Sequence, residues 1–286
     1  MEMNKNEIVE KVKKCLITAS TSFSEDKKEI YRKVIERETN PLAKWALETI
    51  FQNAIAAEEN QSPLCDDTGI PHLFLETGPG QCISGQLIGF IQEGIREGLR
   101  ALPGRPMAIN GDDIQRIDQS GALNTDPGAL LPSPILIKPV AEDIICLHIL
   151  MQGGGPEIRA KTFRIFHKHK VPVVTGEIID WATEASAFLG CTPVTLAIGI
   201  GRSHFEAASL MIEAMICGDY RIQNETENEI TAGVNKGNTG PLGLGGPTTV
   251  LGTFLKVGPQ RASGVRIVSM RPCCCFEPRK SSVILS

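Results

Sequence analysis

Through roughly the first sixty residues apolar side chains recur every three or four positions, and strand-like runs appear only after that point. The segments NEIVEKVKKCLITAS, SEDKKEIYRKVIER and NPLAKWALETIFQNAIAAEEN read as helices, with Asn40 as an N-cap before Pro41 at the first helical position. Beyond them HLFLETG, PILIKPV, DIICLHILM, CTPVTLAIGIG, TTVLGTFLKVG and GVRIV read as strands. GQLIGFIQEGIREGLRAL, EIIDWATEASAFLG, SHFEAASLMIEAMICG and NETENEITAGVNKG read as helices among those strands, the third of them capped by Ser203 and ended by Gly218. PILIKPV and DIICLHILM are separated by a short polar turn, which predicts a hairpin. Strict βαβ alternation is absent. The expected fold is therefore α+β: a helical N-terminal region packed on a mixed, largely antiparallel sheet with later helices.

The chain has 286 residues and a net charge of -4, so no global positive field invites nucleic acid or an anionic membrane. No run approaches the ~20 apolar residues of a membrane span. The N-terminal stretch MEMNKNEIVEKVKKCL is charged and amphipathic without the h-region of a signal peptide, and the expectation is a cytoplasmic protein. Nine cysteines in such a chain are core residues, metal ligands or catalytic thiols rather than a disulfide framework. Cys15, Cys82, Cys146 and Cys217 sit in or beside apolar segments and read as core. Cys65 and Cys191 lie instead in loop contexts rich in Gly, Pro and Asp, and Cys273, Cys274 and Cys275 follow one another directly, a spacing at which disulfide geometry is strained.

Cys65, Cys191 and one of the last three cysteines each mark a break between elements, so a fold could gather three loops at one point. Zinc sites and ferredoxin-type clusters advertise paired C-x₂₋₄-C or C-x₂-C spacing, which these residues lack. Three widely separated thiols suit a cluster held at three corners. The glycine-rich segments QGGGPE and NTGPLGLGG are not P-loops, and GIGRSH lacks the third glycine of a dinucleotide fingerprint. They read either as tight turns or as backbone nests for an anionic ligand.

SPLCDDTG, GCTPVTLAIGIG, NTGPLGLGGPTTVLG and CFEPR, in that order, resemble the α-subunit or N-terminal catalytic domain of the iron–sulfur hydro-lyases, the class I fumarases and L-tartrate dehydratases. The resemblance covers essentially the whole chain. It implies one catalytic domain over residues 1–286, with a helical part at about 1–60 and a cluster-binding part at about 61–286. It implies a 4Fe-4S cluster on Cys65, Cys191 and Cys275, the last chosen because the family's final ligand precedes an arginine by four positions, as Cys275 precedes Arg279. It also implies substrate contacts from Asp67, Arg105 and Gly154, a small 2-hydroxy dicarboxylate as substrate, and a β-subunit that supplies the base, giving a heterotetramer. Of the five histidines, His204 after GIGRS is the alternative internal base.

Departures from the family pattern accompany these matches. Asp66 stands where the family has Gln, Gln152 where it has Lys, Pro156 where it has Ser and Ile158 where it has Asn. Losing a lysine and gaining an aspartate makes a pocket less welcoming to a dianion. Two further readings follow: a non-catalytic cluster-binding or redox-sensing subunit, and a zinc-binding structural protein.

Overall fold

A computed structural model of the chain describes residues 4–286. Its elements are α1 (Lys5–Thr21), α2 (Glu25–Arg37), α3 (Pro41–Glu59), β1 (Ile70–Thr77), α4 (Gly85–Ala101), α5 (Asp113–Asp118), β2 (Leu136–Pro139), β3 (Ile145–Gln152), α6 (Gly154–Glu157), β4 (Lys161–Phe166), α7 (Val171–Ala187), β5 (Val194–Gly201), α8 (His204–Cys217), α9 (Glu225–Asn235), β6 (Val250–Val257), β7 (Val265–Cys273) and β8 (Arg279–Ile284). The fold is α+β, as the periodicity predicts, but the strands form two mixed four-stranded sheets rather than one. By contacts the chain divides into two compact units, both discontinuous: residues 1–22, 56–153 and 279–286, and residues 23–55 and 154–278. Among the described residues no helix is long and apolar enough to cross a membrane.

In the first unit the sheet order is β2-β1-β3-β8. One face carries Leu73, Leu75, Ile145, Leu147, Ile149 and Met151 into a core shared with Ile8, Val12 and Leu16 of α1 and Leu87, Ile91, Ile95 and Leu99 of α4. The i, i+4 spacing of those helical residues gives each helix one apolar stripe. Fully burying each such side chain contributes on the order of 1.5–3 kcal/mol. Gly94 lets the two helices touch, since a Cβ there would stand 2.6 Å from the Cβ of Val12. Asn4 and Ser84 cap α1 and α4 through bonds accepted from Asn6 N and Leu87 N, both 3.1 Å.

The predicted hairpin does not form. β2 pairs in parallel with one edge of β1 while β3 pairs antiparallel with the other, so β1 separates the two strands. The polar turn instead crosses the end of β1, where Gly78 N donates to Ile144 O and Val140 N to Thr77 O. β2 is mostly exposed and ends in Pro139, which suits an edge strand because proline has no N–H to give.

In the second unit the sheet order is β4-β7-β5-β6, and β5 is buried along its whole length. Val194, Leu196, Ile198 and Ile200 face a core with Ile178 and Ala182 of α7 and Ile230 and Val234 of α9. The alternate face meets α8, which lies so close that a Cβ on Gly199 would come 2.0 Å from Ala207 O. A strand covered on both faces reads as an unbroken apolar run rather than an alternation, as VTLAIGIG does. Gly218 ends α8 at φ -62, not in the left-handed region expected of a terminal glycine. Its side-chain-free surface is required by the Phe254 ring, 2.3 Å from where a Cβ would be.

Candidate active site

β7 delivers the three adjacent cysteines, and their surroundings set them apart from one another. Cys273 is the last residue of the strand, wholly buried, with its Sγ 3.5 Å from Met215 Sδ. Burial pushes its thiol up to about 12, with Arg271 opposing. Past the strand end the chain turns, and Cys275 N donates to Cys191 O at 3.0 Å, so a backbone bond joins the two loops. Cys191 is exposed and Cys275 buried. A hydrogen bond with Cys274, then burial, then the charges of Cys274 and Cys191 hold the Cys275 thiol well above its ordinary range, with Lys27 opposing. Cys191 and Cys275 are thus brought together, with Cys274 beside them.

Polar groups that the helical reading of the N-terminal region did not single out hold this turn in place. Tyr31 of α2 donates its hydroxyl to Cys275 O at 2.8 Å, and Lys27 donates to Glu277 O at 2.6 Å. Glu277 also pairs with the guanidinium of Arg271, both side chains being essentially inaccessible. Arg271 Nε reaches on to Glu157 of α6 at 3.2 Å, which ties the end of that short helix to the thiol turn. Burial lowers Lys27 to about 8, and the nearby Cys274, Cys275, Cys273 and Glu277 limit the fall. The signal in the sequence is Lys27 four residues before Tyr31, which puts both on the buried face of α2.

The glycine loop 239–246 packs beside Cys191, with Leu242 N donating to Thr192 O and Thr192 Oγ1 to Gly240 O. Gly240 is at φ +68 and a Cβ on it would lie 1.7 Å from Gly245 O, so only glycine fits. The N–H groups of Leu242, Gly243, Leu244 and Gly245 are all bonded to nearby carbonyls. This segment is a tight turn that shapes the Cys191 loop; those four N–H groups are not held open for an anion.

In the first unit, Cys65, Asp66 and Asp67 occupy the loop between α3 and β1. Cys65 is half-buried, and Leu64 N anchors the loop by donating to Ser20 O at 3.0 Å. Arg279, itself buried, donates from Nη1 to Asp67 O at 2.8 Å. Gly69, at φ +84, lets that guanidinium and the Gln152 backbone close in, since a Cβ would meet them at 2.7 and 2.9 Å. Arg105 N donates to Thr68 Oγ1 at 2.9 Å, which brings Arg105 beside Asp67. The exposed Arg105 guanidinium stands 3.7 Å from Asp66. Gln152 is buried, and its Nε2 has no hydrogen-bond partner. Gly154 opens α6 and is exposed. His204 opens α8, also exposed, flanked by the Arg202–Glu206 ion pair at 2.6 Å.

The model of the fumarate hydratase (Fumerase) family matches residues 9–283. The chain belongs to that family. By membership it is a hydro-lyase. The L(+)-tartrate dehydratase subunit alpha of Escherichia coli (strain K12) is 24% identical over 282 residues, covering 95% of this chain and 90% of the relative. The subunit of the same name from Shigella boydii serotype 4 matches to the same extent. A relative from Methanocaldococcus jannaschii, given the same subunit name provisionally, is 25% identical over 249 residues and 84% of each chain.

Proposed function

We propose that the chain is the α-subunit of a heteromeric hydro-lyase that reversibly eliminates water from a 2-hydroxy dicarboxylate of the fumarate/malate or tartrate type. The family match over residues 9–283 carries this reading. Cys65, Cys191 and Cys275 would hold a 4Fe-4S cluster. The donor chemistry fits such a group: Cys275 is fixed on Cys191 by a backbone bond, and the buried ammonium of Lys27 faces thiols whose ionisation it would favour. When bound, a cluster with one iron free of protein ligands supplies a Lewis acid for the departing hydroxyl.

The remaining work falls to this chain's polar groups. Arg105 offers a fork of donors to one substrate carboxylate, and Asp67, fixed through its carbonyl by Arg279, is held next to it. The unmet N–H of Gln152 is a further donor for a substrate oxygen, a hydrogen bond where the family places a charge. Gly154 gives close backbone approach. The α-subunit names of the relatives support a partner subunit. In this reading that partner is a β-subunit that brings the base, in a cytoplasmic heterotetramer.

The test is to mix the anaerobically reconstituted chain with its β-type partner and assay malate, fumarate and tartrate. Activity should appear on mixing and saturate at a one-to-one ratio. Robust turnover by this chain alone would contradict the shared site and move the base to His204, which His204→Asn would then abolish.

Asp66 makes a second prediction. Its carboxylate lies 3.7 Å from Arg105 and competes with substrate for the same guanidinium. Exposed pairs of this kind are worth about 0.2–1 kcal/mol, so Asp66→Gln should lower KM by up to about fivefold. Arg105→Ala should raise it. If neither variant changes KM, Arg105 does not bind substrate. The same pairing suits a cluster-holding subunit without turnover, and an assembled complex with an intact cluster but no activity on any diacid would select that reading.

A further inference from the structure

Beyond the cysteine loops, the outer face of the first sheet carries a group of donors that the hydro-lyase reading leaves unused. Glu76 on β1 stands directly opposite Cys146 on β3. His148 follows Cys146 by two positions on the same strand, so its side chain shares that face, and Ser282 on β8 stands opposite His148. The intervening residues Leu75, Leu147 and Ile149 point the other way, into the core. Strand register alone therefore gathers a carboxylate, a thiol and an imidazole, whose ligand atoms all lie within 4.8 Å of one another.

We propose that Glu76, Cys146 and His148 form a binding site for a divalent cation of the zinc class. His148 Nε2 and Glu76 Oε2 are 3.1 Å apart, close to the ~3.3 Å edge of a tetrahedron whose N and O ligands lie about 2.0 Å from the metal. Ser282 Oγ is 2.7 Å from Nδ1 and can accept its proton, which leaves the Nε2 lone pair for the ion. The Phe74 ring packs against the imidazole in a T-shaped contact, 5.9 Å between centroids. Binding would release the thiol proton of Cys146 to solvent, and a thiolate with a carboxylate then balances the charge of one divalent ion. The mixed S, N and O donors favour zinc over magnesium or calcium, which take oxygen ligands.

The site is half-open. Cys146 is 8% exposed, whereas the side chains of His148 and Glu76 are 14% and 25% exposed, which leaves room for water as a fourth ligand. Glu76 is six positions along β1 from Ile70, the end that follows the Cys65 loop, a rise of roughly 20 Å. The cation would therefore bind apart from the candidate cluster ligand of this unit.

The test is a Co2+ titration of the purified cluster-free chain, read by sulfur-to-cobalt charge-transfer absorbance, with Zn2+ as competitor. Because the other cysteine loops can also take cobalt, the decisive protein is the Cys191→Ser/Cys275→Ser double variant. It should still bind one equivalent with a thiolate band, and adding Cys146→Ser should abolish that band. Glu76→Gln and His148→Gln should each weaken binding at least tenfold. Should Cys146→Ser fail to fold, Ser282→Ala, which removes only the outer partner of His148, should still weaken binding by about tenfold or more. A thiolate band that survives Cys146→Ser, or no saturable Co2+ binding in any of these proteins, overturns the proposal.

Discussion

Glu277→Gln is expected to lower the unfolding free energy of the chain by about 3–5 kcal/mol, the usual effect of removing one partner from a buried ion pair. Arg271 and Glu277 are 0% and 1% exposed, so the guanidinium left behind cannot recover its charge balance from water. Its other acidic neighbour, Glu157, is 58% exposed and screened, and compensates little. Urea unfolding of the cluster-free chain measures the loss. Arg271→Met together with Glu277→Leu should restore much of it, because replacing both charges removes the burial cost along with the attraction. A loss below about 1 kcal/mol in Glu277→Gln would mean that the pair does not brace the thiol turn.

The second large effect concerns ligation. Cys275→Ser and Cys191→Ser should each abolish the visible absorbance of the reconstituted cluster and, in the assembled complex, essentially all turnover. Cys65→Ser should do the same. Cys273→Ser should retain both, because its Sγ packs against Met215 in the core. Cys274→Ser fixes the register: its thiol is hydrogen-bonded to Cys275, so it should perturb the spectrum without erasing it. The reverse outcome, with Cys274→Ser losing the cluster and Cys275→Ser keeping it, would place the ligand one residue earlier.

The elements that the sequence discloses are those whose pattern is set by their own burial. α1 and α4 carry complete apolar stripes, and β5 is an unbroken apolar run because helices cover both of its faces. Ser203 and Asn40 are legible as caps because their side chains accept bonds from Glu206 N and Leu42 N. The hairpin expectation failed because adjacency in sequence does not specify which edge a strand joins, and β1 offers both of its edges. β8, with the sequence RKSSVI, lacks apolar alternation and is a strand only because β3 presents a free edge to it. The division into two discontinuous units is equally silent, since nothing local tells residues 279–286 to rejoin the segment that contains Cys65.

The candidate site divides in the same way. The thiols and Asp67 sit in motifs short enough to read directly. What supports them comes from far along the chain: Lys27 and Tyr31 reach the cysteine turn across 250 and 244 residues, and Arg279 reaches Asp67 across 212. Periodicity places such residues on an inward face but does not name what they meet there.

Iron and acid-labile sulfide, determined on the anaerobically purified chain together with its visible spectrum, test the central claim most directly. A cluster held on Cys65, Cys191 and Cys275 requires a brown protein containing iron and sulfide in equal amounts, in the proportion to chain of one 4Fe-4S group. On brief exposure to air one iron should leave and a three-iron signal should appear in electron paramagnetic resonance, because that iron has no protein ligand. A colourless protein with stoichiometric zinc on these cysteines and no sulfide would contradict the account.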